Sequence, residues 1–304
     1  MLKTCLGHRR GESVLLVTDE ILCGVATLLF NNCLSLGIEA TLITMRSRTM
    51  HGEEPPRLVA RAMRDADIVF LLTSWSLSHT KARNRACKKY GVRIASLPSV
   101  TLEVLRRSIH IDYAALDKHA RRIAARLRQA SRIRVTAPGG TDLTMEIGGR
   151  RICIDNGLYL ETGAFGNLPA GEVCLSPREG TTNGRLVIDG SFAGLGKLHK
   201  PVTITVKDGY ATAISSSRLE RLLRPFGRKG RTIAELGIGL NPRARMTGVV
   251  LEDEKALKTA HIALGNNVSF GGKVAAGCHL DGVFLSPKIT VVLPSGREKA
   301  VRLR

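Results

Sequence analysis

A chain of 304 residues with 43% hydrophobic content is long enough for two cores and too apolar to stay disordered. Its 46 Lys and Arg against 26 Asp and Glu, a net charge of +20, favour anionic partners in a non-specific way, but an aromatic content of only 4% argues against the stacking platforms of a single-strand nucleic-acid binder. Seven cysteines, odd in number and without a CxxC pair, indicate neither a disulfide framework nor a thiolate zinc site and point to a reducing cytoplasm.

The amino terminus carries charges where a secretory signal needs an unbroken apolar stretch, and Asn31 and Asn32 interrupt the longest apolar run, so no membrane partner is expected. Val14 to Val17, bounded by Gly11 and Asp19, predicts a buried parallel strand. Ile21 to Leu36 has helical spacing and stops at Gly37, a suitable C-cap. Ala40 to Met45, Ile68 to Leu72 and Val92 to Ala95 read as further strands, separated by helices at Arg57 to Asp65 and Ser78 to Lys89, the latter closed by Gly91. Strands separated by helix-length segments imply right-handed crossovers and a mostly parallel sheet. Residues 1–130 are therefore expected to form a Rossmann-like α/β domain. The segment after the first strand, TDEILCG, lacks GxGxxG, so a dinucleotide is not expected there. Asp19, Ser74, Trp75 and Ser76 fall at strand ends, where a binding role is open, with packing the expected use of Trp75.

A basic helix around Ala114 to Arg128 bridges to a second half in which the pattern changes. Ile133 to Ala137, Asp142 to Ile147, Arg151 to Ile154, Arg185 to Ile188, Val202 to Lys207 and Tyr210 to Ile214 read as short strands divided by turns such as Asn183-Gly184 and Asp208-Gly209. Helices are expected at Ser217 to Leu223 and near Glu252 to Thr259. Residues 131–304 thus form an expected strand-rich α+β domain. The basic clusters Lys118 to Val135 and Arg218 to Arg231 are expected as solvated faces or subunit contacts, with nucleic acid the less favoured partner.

The residues that stand out lie between Arg231 and Ser286. Glu235, His261, His279 and Asp281 fall among short apolar runs and glycines, as polar ligands do when mounted on buried strands. In His279-Leu280-Asp281 the imidazole and carboxylate are two apart, so on a strand they share a face while Leu280 points into packing. Taken singly, His261 also reads as a core histidine and Glu235 as the partner of an arginine; together they point to a metal site. Glu172, on a Pro-Ala-Gly loop before Val173-Cys174-Leu175, is a further candidate.

NLPAGEV, ELGIGLNP, DEK followed by HIALG, and the closing HLDG resemble the thermophilic metalloaminopeptidases of the aminopeptidase T group, a superfamily that includes 2,5-dihydroxypyridine dioxygenase-like proteins. Carried over by position, the resemblance implies that Glu172, Glu235, His261, His279 and Asp281 hold two divalent ions of the Zn, Co or Mn kind, and that the chain is a homodimer. It implies a hydrolase of the aminopeptidase type, a metalloprotease acting on peptides through metal-activated water, with Glu172 or Glu235 as catalytic base. One departure bears on this: Val268 stands where the family has a tyrosine. The rival on the same scaffold is a ring-cleaving dioxygenase taking a small-molecule substrate, with one Fe(II) on His261, His279 and Asp281. In that relative a histidine takes the place of Glu235, which weighs toward the hydrolase. A basic, non-catalytic binding protein on the same frame is the third reading.

Overall fold

In the computed structural model, which describes residues 1–303, the chain gathers into two compact units, one of Met1–His110 with Gly157–Ala170, the other of Ile111–Asn156 with the chain from Gly171 onward. The first is built on a five-stranded sheet in the order Ala40–Met45, Val14–Asp19, Ile68–Leu72, Arg93–Ser96, Phe165–Asn167, with every neighbouring pair parallel. Val14–Asp19 and Ile68–Leu72 are buried at every position, as central strands covered on both faces must be. Helices Cys23–Ser35, Arg57–Asp65 and Lys81–Tyr90 lie close to the expected ranges. The last begins at Thr80, whose hydroxyl accepts the Arg83 N–H, and ends at Gly91 in the left-handed region, φ 74°. Leu15, Val17, Met63, Leu71, Leu77 and Ile94 are among the side chains that fill the core.

The division of the chain is not a single cut near residue 130. Helix Tyr113–Arg128 belongs to the second unit, and residues 157–170 return to the first, where Phe165–Asn167 adds the fifth parallel strand beside Arg93–Ser96. A strand of three residues carries too short a pattern to show in the sequence.

The second unit holds two seven-stranded sheets, antiparallel throughout. One runs Tyr210–Ile214, Val202–Lys207, Asn183–Ile188, Asp142–Glu146, Arg132–Thr136, Lys288–Val292, Glu298–Val301. The other runs Gly196–Lys197, Ser191–Phe192, His279–Leu285, Thr259–Gly265, Ile233–Gly239, Glu172–Leu175, Ile152–Asp155. In the latter, Ile233–Gly239 and Thr259–Gly265 are buried at every residue. The helix Tyr113–Arg128 buries Tyr113, Leu116, Ala120, Ile123, Ala124 and Leu127, while Lys118, Arg121, Arg126 and Arg128 are exposed, so the basic cluster here is a solvated face.

One expected helix is shorter than its pattern. Val250–Asp253 forms a single turn, and the chain then passes through Lys258 at φ 72° into the strand that starts at Thr259. Among the described residues no helix is long and apolar enough to cross a membrane.

On the second sheet, Phe284 alternates away from His279 and Asp281 and is fully buried. Phe284→Ala should lower the unfolding free energy by about 3–5 kcal/mol, read as a fall in the urea midpoint. An unchanged midpoint would mean that this face is not a core.

Candidate metal centre

Strand register brings the candidates together. Asp155 pairs with Glu172, Glu172 with Gly239, Gly237 with His261, Glu235 with Ala263, Ala263 with Asp281, and Gly265 with His279. Paired residues share a face and residues two apart share a face, so Asp155, Glu172, Glu235, His261, His279 and Asp281 project from one side of the sheet. The intervening residues, such as Leu236, Ile238, Ile262 and Leu264, are buried on the other side. All five positions named from the sequence therefore converge, although Glu172 and Asp281 are far apart in the chain.

Two glycines make room for this. A Cβ on Gly237 would overlap the His261 ring, so the imidazole lies across bare backbone of the neighbouring strand. A Cβ on Gly239 would strike the carbonyl oxygen of Ala256 and the hydroxyl of Thr259, where the preceding loop folds onto the sheet.

At the centre, His279 Nε2 stands 3.0 Å from Glu235 Oε2 and 3.5 Å from Asp281 Oδ1. His261 Nε2 lies 3.7 Å from Glu172, 3.8 Å from Glu235 and 3.9 Å from Asp281. The other nitrogen of His279, Nδ1, donates to the Asn266 carbonyl oxygen at 2.7 Å, which fixes the tautomer and leaves Nε2 as the ligand atom. Phe270 stacks on the same ring, centroids 5.3 Å apart. Val268, in the turn Val268–Phe270, is about half exposed and offers no polar group.

The donor atoms fit a divalent cation. Glu235, His279 and Asp281 offer atoms within 4.8 Å of one another, and so do Glu254, His261 and Asp281, and Glu172, Cys174 and Glu235. Glu172 Oε2 is buried with no hydrogen-bond partner among the described residues, a costly state for a carboxylate oxygen unless a cation takes it.

Several members of the site were not singled out from the sequence. Lys255 is buried, and its ammonium reaches Glu172 at 2.5 Å, Glu254 at 2.9 Å and Asp155 at 3.5 Å. The run Glu252-Asp253-Glu254-Lys255 is wholly buried. Glu252 accepts the Arg245 N–H and the Thr247 hydroxyl, and Asp253 accepts the N–H groups of Thr247 and Gly248, so two of the four charges pin a loop while two face the centre. Four consecutive charges ordinarily signal a solvated turn; the signal that could have exposed them is their position a few residues before the mostly apolar run of Thr259–Gly265, which is buried throughout.

Charge couples these groups. Burial raises the Glu235 carboxyl, but the two imidazoles hold it well below the usual carboxylate range; burial likewise raises Asp281, and His279 and His261 bring it below its ordinary value. Burial works against a charged His261, yet Glu235, Glu172, Asp281 and Glu254 lift it to about 9. Burial likewise opposes His279, and Asp281 and Glu235 raise it well above the ordinary histidine value. Glu254 is pushed up to about 8 by burial, with Lys255 opposing and Asp281 and Glu172 adding to the rise.

Comparison with known proteins places this geometry. The family model described as "NicX: 2,5-dihydroxypyridine 5,6-dioxygenase" matches residues 38–291. A 2,5-dihydroxypyridine 5,6-dioxygenase of Pseudomonas putida is 27% identical over 245 residues, 73% of this chain and 66% of the relative, so the match spans just under two thirds of that relative's length. The structure of 2,5-dihydroxypyridine dioxygenase from Pseudomonas putida KT2440 superposes with a TM-score of 0.78 at 19% identity, covering 96% of this chain and 93% of the other. Wild-type AmpT from Thermus thermophilus superposes with a TM-score of 0.71 at 14% identity, covering 99% and 95%. The resemblance to a superfamily holding both proteins stands, as does the α/β class with a parallel sheet and strand-rich antiparallel sheets.

The expected reaction does not stand. The family model and the curated relative, both described as 2,5-dihydroxypyridine 5,6-dioxygenase, overturn the aminopeptidase-type hydrolase, and with it the hydrolase and metalloprotease reading. The weight placed on Glu235 misled. At 3.0 Å from His279 and 3.8 Å from His261, it is a buried acceptor for the first imidazole and a charge partner of the second, a role that does not depend on the reaction.

Two outcomes follow from the geometry. Gly237→Ala should displace the His261 ring and weaken metal binding by about 10–100-fold, measured by competition against a chromophoric chelator; unaltered affinity would show the ring is not needed there. Because carboxylates raise both imidazoles and hold them protonated at neutral pH, a cation must displace those protons. Affinity should rise with pH towards about 9 and fall as pH drops, and calorimetry in buffers of different ionisation enthalpy should detect proton release on loading. PH-independent binding would remove the imidazoles from the ligand set.

Proposed function

The chain belongs to the NicX family, described as 2,5-dihydroxypyridine 5,6-dioxygenase, and from that membership we propose that it is a non-haem iron oxygenase opening a hydroxylated aromatic or N-heteroaromatic ring with dioxygen. The observation that carries the proposal is the approach of both imidazoles to one carboxylate oxygen. His261 Nε2 and His279 Nε2 stand 3.9 Å and 3.5 Å from Asp281 Oδ1, a two-histidine, one-carboxylate set of the kind that suits ferrous oxygenases and leaves positions for other ligands.

We assign His261, His279 and Asp281 to hold one Fe(II), with Glu172 and Glu235 as the flanking carboxylates. When bound, iron in such a set supplies the unpaired electrons that let dioxygen react with a closed-shell ring, and a point of attachment for a ring hydroxyl. The chain's own residues do the rest. Asn266 orients His279 through its carbonyl oxygen, and Phe270 covers one face of that ring. Glu254, held near 8 by burial, with Lys255 opposing the rise and Asp281 and Glu172 adding to it, can take or return a proton such as that of a ring hydroxyl. Lys255 anchors Glu172 and Glu254 in place.

The partner in this reading is a small aromatic substrate. The homodimer implied by the resemblance remains part of the proposal, as does a reducing cytoplasm, which the seven free cysteines support.

The test is oxygen uptake by metal-free protein reconstituted anaerobically with Fe(II), in the presence of 2,5-dihydroxypyridine and related hydroxylated rings. One dioxygen consumed per ring lost from the ultraviolet spectrum is the expected result, and no uptake by the iron-loaded protein would overturn the proposal. His279→Ala should abolish both high-affinity iron loading and uptake; unchanged iron stoichiometry in that variant would exclude the assigned ligand set.

A further inference from the structure

The oxygenase reading leaves two sulfur atoms beside the centre without a role. Cys153 and Cys174 are directly opposite one another in the antiparallel strands Ile152–Asp155 and Glu172–Leu175. Register puts both on the face that carries Glu172 and Glu235, because Cys174 is two residues from Glu172 and pairs with Gly237. Cys174 is buried and Cys153 half-buried. Both are free thiols.

Cys174, Glu172 and Glu235 each offer one donor atom within 4.8 Å of the others. The two oxygens of Glu172 differ in their surroundings. Oε1 receives the Lys255 ammonium at 2.5 Å, whereas Oε2 is buried, makes no hydrogen bond among the described residues and faces the His261 Nε2 from 3.7 Å. A carboxylate oxygen left in that state, with a thiol beside it and a second carboxylate within reach, is arranged for a cation rather than for packing. Tetrahedral zinc with bonds of about 2.0–2.3 Å sets its ligand atoms roughly 3.5 Å apart, so the observed spread closes onto an ion with small side-chain shifts.

We propose that this chain has a second divalent-metal site, of mixed thiolate and carboxylate character, formed by Cys174, Glu172 Oε2 and Glu235, with Cys153 as fourth ligand. Sulfur selects a thiophilic ion of the zinc class, whereas the imidazole and carboxylate set suits ferrous iron, so the two sites discriminate between metals by donor softness. Glu235 serves both, since it also meets His279 and His261, and a cation on the sulfur side would draw on the same carboxylate. Binding forms sulfur–metal bonds and releases the thiol protons to solvent. The reading of the cysteines as uninvolved in metal binding rested on the absence of CxxC spacing; Cys153 and Cys174 meet only through strand pairing.

The site is tested with Co(II) as the probe, titrated anaerobically into the reduced, metal-free full chain. About two equivalents should bind, with sulfur-to-cobalt charge-transfer absorption in the near ultraviolet, and Zn(II) should slow alkylation of Cys153 about tenfold or more. Cys174→Ser should lose the charge-transfer band and one equivalent while retaining the other. Should that buried substitution impair folding, Cys153→Ser at the half-exposed position should lose roughly half of the band. Binding of a single equivalent, two equivalents with no sulfur band, or a Cys174→Ser titration identical to wild type would each overturn the proposal. Iron-dependent oxygen uptake is measured separately, so failure here leaves the oxygenase reading in place.

Discussion

The structure of the second unit depends on the crowding of like charge on one buried sheet face. Asp155, Glu172, Glu235, Glu254 and Asp281 approach one another away from water, against one ammonium and two imidazoles. Two charges 4 Å apart interact by about 4 kcal/mol even at an effective dielectric constant near 20, so the five cannot all stay ionised without cations among them, and Glu254, pushed up to about 8 by burial, is the one that keeps its proton. Lys255 is the permanent one. Its ammonium reaches three of the five, and those three together with burial decide its state, with the carboxylates prevailing and its pKa raised well above the ordinary lysine value. His261 and His279 are the conditional ones, charged alone and ready to exchange protons for a metal.

Such a cluster needs a rigid mount, and the antiparallel sheet supplies it. The candidate ligands come from four strands whose neighbours are buried at nearly every position, so each side chain is aimed by a hydrogen-bonded ladder rather than by a loop. The loop that does contribute, which delivers Glu254 and Lys255, is tied down by Asn241, whose side-chain oxygen accepts two backbone N–H groups, and by Glu252 and Asp253, each accepting more than one donor. Glycine at 237 and at 239 is the counterpart on the sheet: absence of side-chain bulk lets an imidazole and a folded loop approach the backbone.

Much of this was legible in the residues. Alternation around His279 and Asp281, and ionisable groups set in apolar runs, disclosed a shared polar face, and the strand and helix pattern of the first half disclosed its parallel sheet. What stayed hidden was set by register and long-range pairing. Cys153 and Cys174 carry no local spacing signal, and Lys255 sits in a charge run that reads as solvent-exposed. The three-residue strand Phe165–Asn167 is too short to have a period. The class of reaction was hidden for a different reason. Glu235 and the histidines describe where a cation would fit, but not what it would meet there, and scaffolds of this kind serve more than one chemistry.

The wide separation of the candidate ligands along the chain also governs when the centre can exist. A polypeptide extended only as far as Thr259 already has the acidic residues Asp155, Glu172, Glu235 and Glu254, yet neither histidine. During synthesis the emerging protein therefore passes through a stage at which Lys255 is the single basic group of the cluster, and the four-strand mount cannot close until His279–Leu285 has been made and paired. The part of the candidate centre that draws on both imidazoles is thereby completed only on a nearly finished chain, whereas the cysteines and most of the carboxylates beside it are made earlier.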